Sequence, residues 1–241
     1  HMPLFIFIAG YFAVRYMDSA DKWKRVRRIL GLYLLSQAFY VVLFRFLGQQ
    51  RLTLAHALIH PCWTTWFLLS LACWLVLLPA FAGRRGALAA SATLALAAGY
   101  ADAVGTALSL SRTIVFLPFF LAGHEAGRAR LVPATGRRGK IFAALLLAGV
   151  FAVLWRRPLA RSWLFGDAGY AALGHPEASA ALLRLGVLAL QAACAAAVLA
   201  LVPRREHGWT PVGRHTLAIY VAHPAVLLLV WLAVAAWTAR G

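Results

Sequence analysis

Of the chain's 241 residues, 63% are hydrophobic and 13% are charged, and the mean hydropathy is +0.76. A soluble domain is nearer half apolar and a quarter charged, so this composition excludes a soluble α/β enzyme and equally a disordered chain. The net charge of +17, from 24 basic and 7 acidic residues, would point to nucleic acid in a soluble protein, but here the bases stand in short clusters between apolar runs, which is how membrane topology signals are laid out.

At about 20 apolar residues per span, the length allows roughly eight transmembrane helices. In chain order they are expected over residues 2–17, 29–48, 63–82, 87–104, 107–123, 141–155, 181–202 and 216–237. The runs are long and rich in Ala and Leu, and they lack the alternating ten-residue pattern of a membrane barrel. The fold expected is therefore all-α, a polytopic helix bundle embedded in a lipid bilayer. It forms one integral membrane domain over residues 1–241, with no internal repeat or linker.

The connections carry the orientation. Arg15, Lys22, Lys24, Arg25, Arg27 and Arg28 precede the second run, and Arg84 and Arg85 sit in a tight Gly-Arg-Arg-Gly turn. Arg128, Arg130, Arg137, Arg138 and Lys140 form a third cluster, and Arg204, Arg205 and Arg214 a fourth. These sixteen fall on alternate connections, against six on the other side, a positive-inside bias that puts both termini outside. The outer loop of residues 156–179 dissents, with three arginines beside Asp167, His175 and Glu177, and it is expected to be folded. No signal peptide opens the chain. An outside N-terminus is then awkward unless at least one further helix lies upstream, so a truncated start is expected. Arg outnumbers Lys 21 to 3 and Ala is abundant, which suggests a GC-rich bacterial gene and an inner-membrane, multi-pass location.

Ionisable groups inside a membrane are costly and are functional candidates by default. They are His1, Arg45, Asp102, Arg112, Arg184, His215 and His223. Asp102 and Arg112 flank the connection between the fourth and fifth runs at similar depth. They either line an outward-facing vestibule or form an ion pair closing a helical hairpin. His223 lies near the bilayer middle in the last run, followed by Pro224, which interrupts the helix ladder and frees a carbonyl. Tyr220 lies on the same face, where it shares a pocket with His223 or merely packs. His124 and Glu125 form an acid–base pair of neighbours, although adjacent helical residues point about 100° apart. Arg84, Arg85 and Arg214 make a basic collar suited to an anionic ligand, or plain topology charge. Arg45 and Arg184 are expected to snorkel to the outer interface. The tryptophans mostly mark span ends and are expected to be interfacial anchors. The three cysteines, Cys62, Cys73 and Cys194, fit no zinc or disulfide spacing, and no metal, nucleotide-hydrolase or serine-hydrolase motif is present.

Four segments in order carry a family resemblance: "HMPLFIFIAGYF", "WTTWFLLSLACWLVLLP", "SRTIVFLPFFLAGH" and "GRHTLAIYVAHPAVL". Together they resemble the membrane acyltransferase-three family, and most closely its fucose 4-O-acetylase-like branch. The resemblance runs through His1 and Met2, which favours native residues there over a cloning scar. It implies a polytopic acyltransferase with no tightly bound cofactor. Such an enzyme moves an acetyl group from cytosolic acetyl-CoA to a hydroxyl of an exported glycan or another envelope molecule. It also implies an upstream helix bearing a basic residue and the principal His. Within the present chain, His1 and His223 are then the catalytic imidazoles. Asp102, Arg112 and Tyr220 serve the acceptor, and Arg84, Arg85 and Arg214 hold the CoA phosphates. The rival expectation is a transporter or flippase of lipid-linked glycans.

Overall fold

The computed structural model describes residues 2–17, 19, 21–47, 53–101, 105, 107–131, 135–203, 208 and 210–238. Every regular element among them is a helix. Eight apolar helices follow one another: α1 (Met2–Phe12), α2 (Lys22–Phe46), α3 (Trp66–Phe81), α4 (Ala87–Ala97), α5 (Leu110–Arg128), α6 (Arg137–Arg156), α7 (Ala180–Leu201) and α8 (Thr216–Thr238). The all-α membrane bundle is thus present. Each expected run carries a helix, but only α2, α5, α6, α7 and α8 have the length and apolarity of a membrane crossing, while α1, α3 and α4 are shorter.

The ends differ from the expected ones for two reasons. Apolar runs mark the part of a helix that suits hydrocarbon, whereas the backbone ladder continues into the polar boundary. So α2 starts among its basic residues at Lys22, and α5 continues past Gly123 to Arg128. The fourth run instead stops early. After Ala97 it tightens into a 3-10 turn at Ala98–Tyr100, where the Gly99 carbonyl accepts the Tyr170 amide at 2.7 Å. A Cβ on Gly99 would lie 2.3 Å from the Tyr170 ring, so a larger residue there would push the outer loop away.

The core of the bundle is the contact between α1 and α5. A Cβ on Gly123 would stand 1.9 Å from the Phe7 carbonyl oxygen, and one on Gly127 would stand 2.4 Å from that of Tyr11. From the other side, a Cβ on Gly10 would stand 2.0 Å from the Phe120 carbonyl oxygen. The backbones touch, and the pairing advances one turn on both helices together, so α1 and α5 run side by side in the same direction. In lipid, where apolar surface gains nothing by leaving the solvent, small residues that allow such an approach are the principal means of helix association. Around this pair Phe116, Phe120, Trp74 and Phe67 form the buried aromatic core. Helix α8 is tied on by hydrogen bonds: the Tyr220 hydroxyl donates to the Thr64 carbonyl, and the Tyr40 hydroxyl donates to that of Val221 at 2.6 Å.

Alternate connections gather at opposite ends. At one end Glu125 and Arg128 of α5 meet the turn at Gly83, beside Arg84 and Arg85. At the other end lie residues 60–66, the start of α5 and the loop of residues 157–179. We expect Gly123→Ala to lower the melting temperature of the detergent-solubilised protein by several degrees. Gly149→Ala, on the open face of α6, should leave it unchanged or raise it slightly, because Ala favours a helix over Gly by about 1 kcal/mol. Fluorescence-detected thermal unfolding reads the difference, and equal melting of the two variants would contradict the close α1–α5 contact.

Candidate functional site

A cavity of about 710 Å³ opens between α1, α3, α5, α8 and the 157–179 loop. That volume is ordinary for a small-molecule site. Its polar lining is Thr64, Arg112, Arg161, Asp167 and His223, and its apolar walls include Trp63, Trp66 and Trp231.

Arg112 stands at the first turn of α5. That turn follows two residues in the left-handed region, Leu108 (φ 49°) and Ser109 (φ 57°). Such backbone is costly for residues with a Cβ, on the order of 1–3 kcal/mol each, and survives only where its surroundings hold it. The Thr113 hydroxyl donates to the Ser109 carbonyl at 2.8 Å and also pairs with the Ser70 hydroxyl at 2.7 Å. The Trp74 indole donates to the Thr113 carbonyl at 2.7 Å. With the turn so held, Arg112 lies over the Trp66 ring, 5.1 Å from its centroid, a cation–π contact. Its Nη2 donates to Asp167 Oδ2 at 2.8 Å.

Asp167 is held as firmly from the loop side. The short helix Arg161–Phe165 ends at Gly166, which is left-handed (φ 61°) and packs on Val115. Three side chains then grip three successive residues. Ser111 donates to the Gly166 carbonyl at 2.7 Å, Arg112 binds Asp167, and Arg184 Nη2 donates to the Ala168 carbonyl at 3.0 Å. Arg184 is 1% exposed. It also donates to the Trp163 carbonyl at 3.2 Å and lies over the rings of Trp163 and Tyr170. It does not snorkel, contrary to the sequence expectation, because the loop folds back over α7 and supplies carbonyls and ring faces in place of water. Burial in that loop pushes the Tyr170 hydroxyl above the usual tyrosine range, an effect the nearby Arg184 charge partly offsets.

The opposite wall is built on Gln37, which is fully buried. Its amide nitrogen lies 2.6 Å from the Ala57 carbonyl and 3.0 Å from the Tyr33 hydroxyl. Its carbonyl oxygen accepts from the Cys62 amide and the Thr65 hydroxyl. This network pins the segment of residues 57–65, in which Trp63 is itself left-handed (φ 45°), and so presents Trp63 and Thr64 to the cavity.

His223 is oriented by its own helix. Pro224 has no amide hydrogen to give the Tyr220 carbonyl, four residues back. His223 Nδ1 takes that carbonyl at 2.7 Å. A carbonyl only accepts, so Nδ1 carries a proton, and in the neutral tautomer this leaves the lone pair on Nε2. Around the cavity three buried polar atoms have no partner among the described residues: Arg112 Nε, Asp167 Oδ1 and Thr64 Oγ1. A buried polar atom without a partner costs about 1–3 kcal/mol, so the walls of this cavity carry unmet hydrogen-bonding capacity.

The structure thus brings Arg112 and His223 to one cavity. Among the described residues, the carboxylate on Arg112 is Asp167 of the loop. Asp102 and His1 lie outside the described residues, as do the side chains of Arg214 and His215. Tyr220 packs its ring on Phe5 and Phe67, with its hydroxyl on the Thr64 carbonyl. Arg84 and Arg85 are exposed at the opposite end. His124 is buried, with Nδ1 3.5 Å from Glu125 Oε1, and Glu125 in turn accepts from Arg128 at 3.1 and 3.2 Å. Of the site residues missed by sequence reasoning, Asp167 carried a signal, being one of only seven acidic residues. Gln37 and Trp66 carried none.

The helical bundle thus has a partly polar cavity at one end and the exposed Arg84 and Arg85 at the other. Over residues 1–239 the chain matches the acyltransferase-3 family model, described as an acyltransferase domain. It belongs to that family and is an integral membrane acyltransferase. No curated protein and no solved structure matches it.

Arg184→Lys keeps the charge but loses the two-carbonyl grip on the loop. Hydrogen bonds from a charged group contribute about 1.5–3 kcal/mol. We therefore expect the Tyr170 amide to exchange its hydrogen some ten- to hundredfold faster in this variant, while amides in the middle of α5 keep their protection. Unchanged exchange at Tyr170 would mean that the loop is held by something other than Arg184.

Proposed function

We propose that the protein O-acetylates an exported glycan or related envelope molecule, taking the acetyl group from cytosolic acetyl-CoA in the inner membrane of a bacterium. One observation carries this reading: the Arg112–Asp167 donor–acceptor pair, in which each residue keeps a buried polar atom without a partner among the described residues, lines the same cavity as His223. A sugar hydroxyl both donates and accepts, so vicinal hydroxyls suit such a pair, and the faces of Trp63 and Trp231 suit the apolar side of a sugar ring. With Arg112 and Arg161 against Asp167, the lining also favours developing negative charge.

In the proposed step His223 Nε2 takes the proton of the acceptor hydroxyl as its oxygen attacks the thioester carbonyl. The carbon–sulfur bond breaks, and the departing thiolate recovers the proton from the imidazolium. His1 is the second imidazole assigned to this chemistry by the resemblance. Arg84, Arg85 and Arg214 are assigned to the CoA phosphates, where charge-assisted bonds to phosphate oxygens hold the donor at the opposite end. For this direct transfer the thioester-bearing arm of CoA reaches through the bundle to His223 while its phosphates stay on the basic side.

The test is transfer of radiolabelled acetyl from acetyl-CoA to envelope glycan in membranes holding the full-length native protein. Losing a general base costs about 10²–10⁴-fold, so His223→Ala should reduce labelling by that factor at equal expression. A double Arg84→Ala, Arg85→Ala variant should raise KM for acetyl-CoA with little change in kcat. Absence of labelling and of CoA binding with the unaltered protein would overturn the proposal.

A further inference from the structure

The polar cavity does not stand alone. Met2 and Phe165 also line a second cavity, of about 430 Å³, between the start of α1, α6 and α7. Its walls are almost wholly apolar, among them Leu147, Leu190 and Val198, and its one amide is Gln191. Gln191 Nε2 donates to the Leu164 carbonyl at 2.8 Å, and Oε1 is buried without a partner among the described residues. Val150, Leu154 and Leu190 then pass from this cavity to a third, of about 380 Å³, lined by apolar residues and Gly149 of α6 and by Leu190 of α7. The three spaces are neighbours in series, each sharing wall residues with the next, from Arg112, Asp167 and His223 to the space between α6 and α7. Helix α6 is also the least buried of the membrane-length helices, so the series ends on a face suited to lipid.

Chemistry changes along the series in a single sense, from charged and hydrogen-bonding to hydrocarbon. A ligand filling it has a polar head and a long apolar tail. A water-soluble sugar would leave the two apolar cavities to water or lipid, and a bulk phospholipid would bring no vicinal hydroxyls to Arg112 and Asp167. We propose that the second and third cavities hold the hydrocarbon tail of the acyl acceptor, which is thus a membrane-anchored, lipid-linked saccharide presented from within the bilayer. This inference rests on the function proposed above and names its acceptor class.

A long-chain alkyl glycoside carrying a diazirine at the tail end tests it, photolysed with the full-length protein in lipid nanodiscs and mapped by mass spectrometry. Crosslinks are expected on Leu147, Val150, Leu154, Leu190 and Cys194. They should be displaced by excess unlabelled alkyl glycoside and survive excess phosphatidylcholine or free sugar. Ala195→Trp, which fills the second cavity, should cut this labelling at least fivefold, and the milder Ala195→Leu should cut it in part if the larger change impairs folding. Transfer to a water-soluble glycan should persist in both variants. Labelling scattered over the outer helix faces, or displaced equally by phosphatidylcholine, or indifferent to both substitutions, would overturn the tail site. Because crosslinking needs no turnover, the two readings fail separately. Scattered labelling with intact, His223-dependent transfer removes only the tail site. Cavity labelling with transfer indifferent to His223 removes only the assigned catalytic function.

Discussion

Three glycines let α1 and α5 run with their backbones in contact, and the position of the polar groups follows from that contact. Because the two helices run in the same direction, the starts of α1 and α5 lie toward the same end of the bundle. Met2 and Arg112 therefore border one cavity. Any side chain at Gly10, Gly123 or Gly127 would put its Cβ within 1.9–2.4 Å of a carbonyl oxygen of the other helix and force the two apart. It would also displace the first turn of α5, on which Ser111, Arg112 and Thr113 are spaced to reach the outer loop, Trp66 and α3.

The outer loop is the second element of the design. A loop over a membrane protein carries no obligation to be ordered, yet this one is gripped at three successive residues by α5 and α7. Arg184 is the unusual member, a guanidinium buried in a membrane-length helix with carbonyls and two aromatic rings around it in place of a carboxylate partner. Its charge is balanced nearby by Asp167, which it shares with Arg112. The loop thus delivers the cavity's carboxylate to a set place, where the Arg112–Asp167 pair lines the cavity together with His223.

Much of the fold was legible in the residues, because apolar runs and basic clusters follow from transfer energies that act locally. Helix identity, the alternation of ends and the folded nature of the 157–179 loop could all be read in that way. So could the role of Pro224 in freeing a carbonyl, since donor and acceptor lie within one turn. What could not be read depends on long-range packing. Arg112 and Asp167 are far apart in the chain and meet only because the loop folds over α5. Gln37 drew no attention as a single polar residue within an apolar run, yet it pins the segment of residues 57–65. Arg184 was placed in the interface from its depth alone, and only the fold of the loop above it shows why it stays buried. The shortness of α4 likewise reflects a turn held by a tertiary bond, that from the Tyr170 amide to the Gly99 carbonyl.

The central claim is that Arg112 and Asp167 act together as the receptor for acceptor hydroxyls. Equilibrium binding of an envelope oligosaccharide to the full-length protein in nanodiscs, across a double-mutant cycle of Arg112→Met and Asp167→Asn, tests it most directly. If the two share one ligand site, each substitution should weaken binding by tenfold or more, and the double variant should be little worse than either single one. Affinity unchanged by both substitutions, or losses that simply add, would contradict the account.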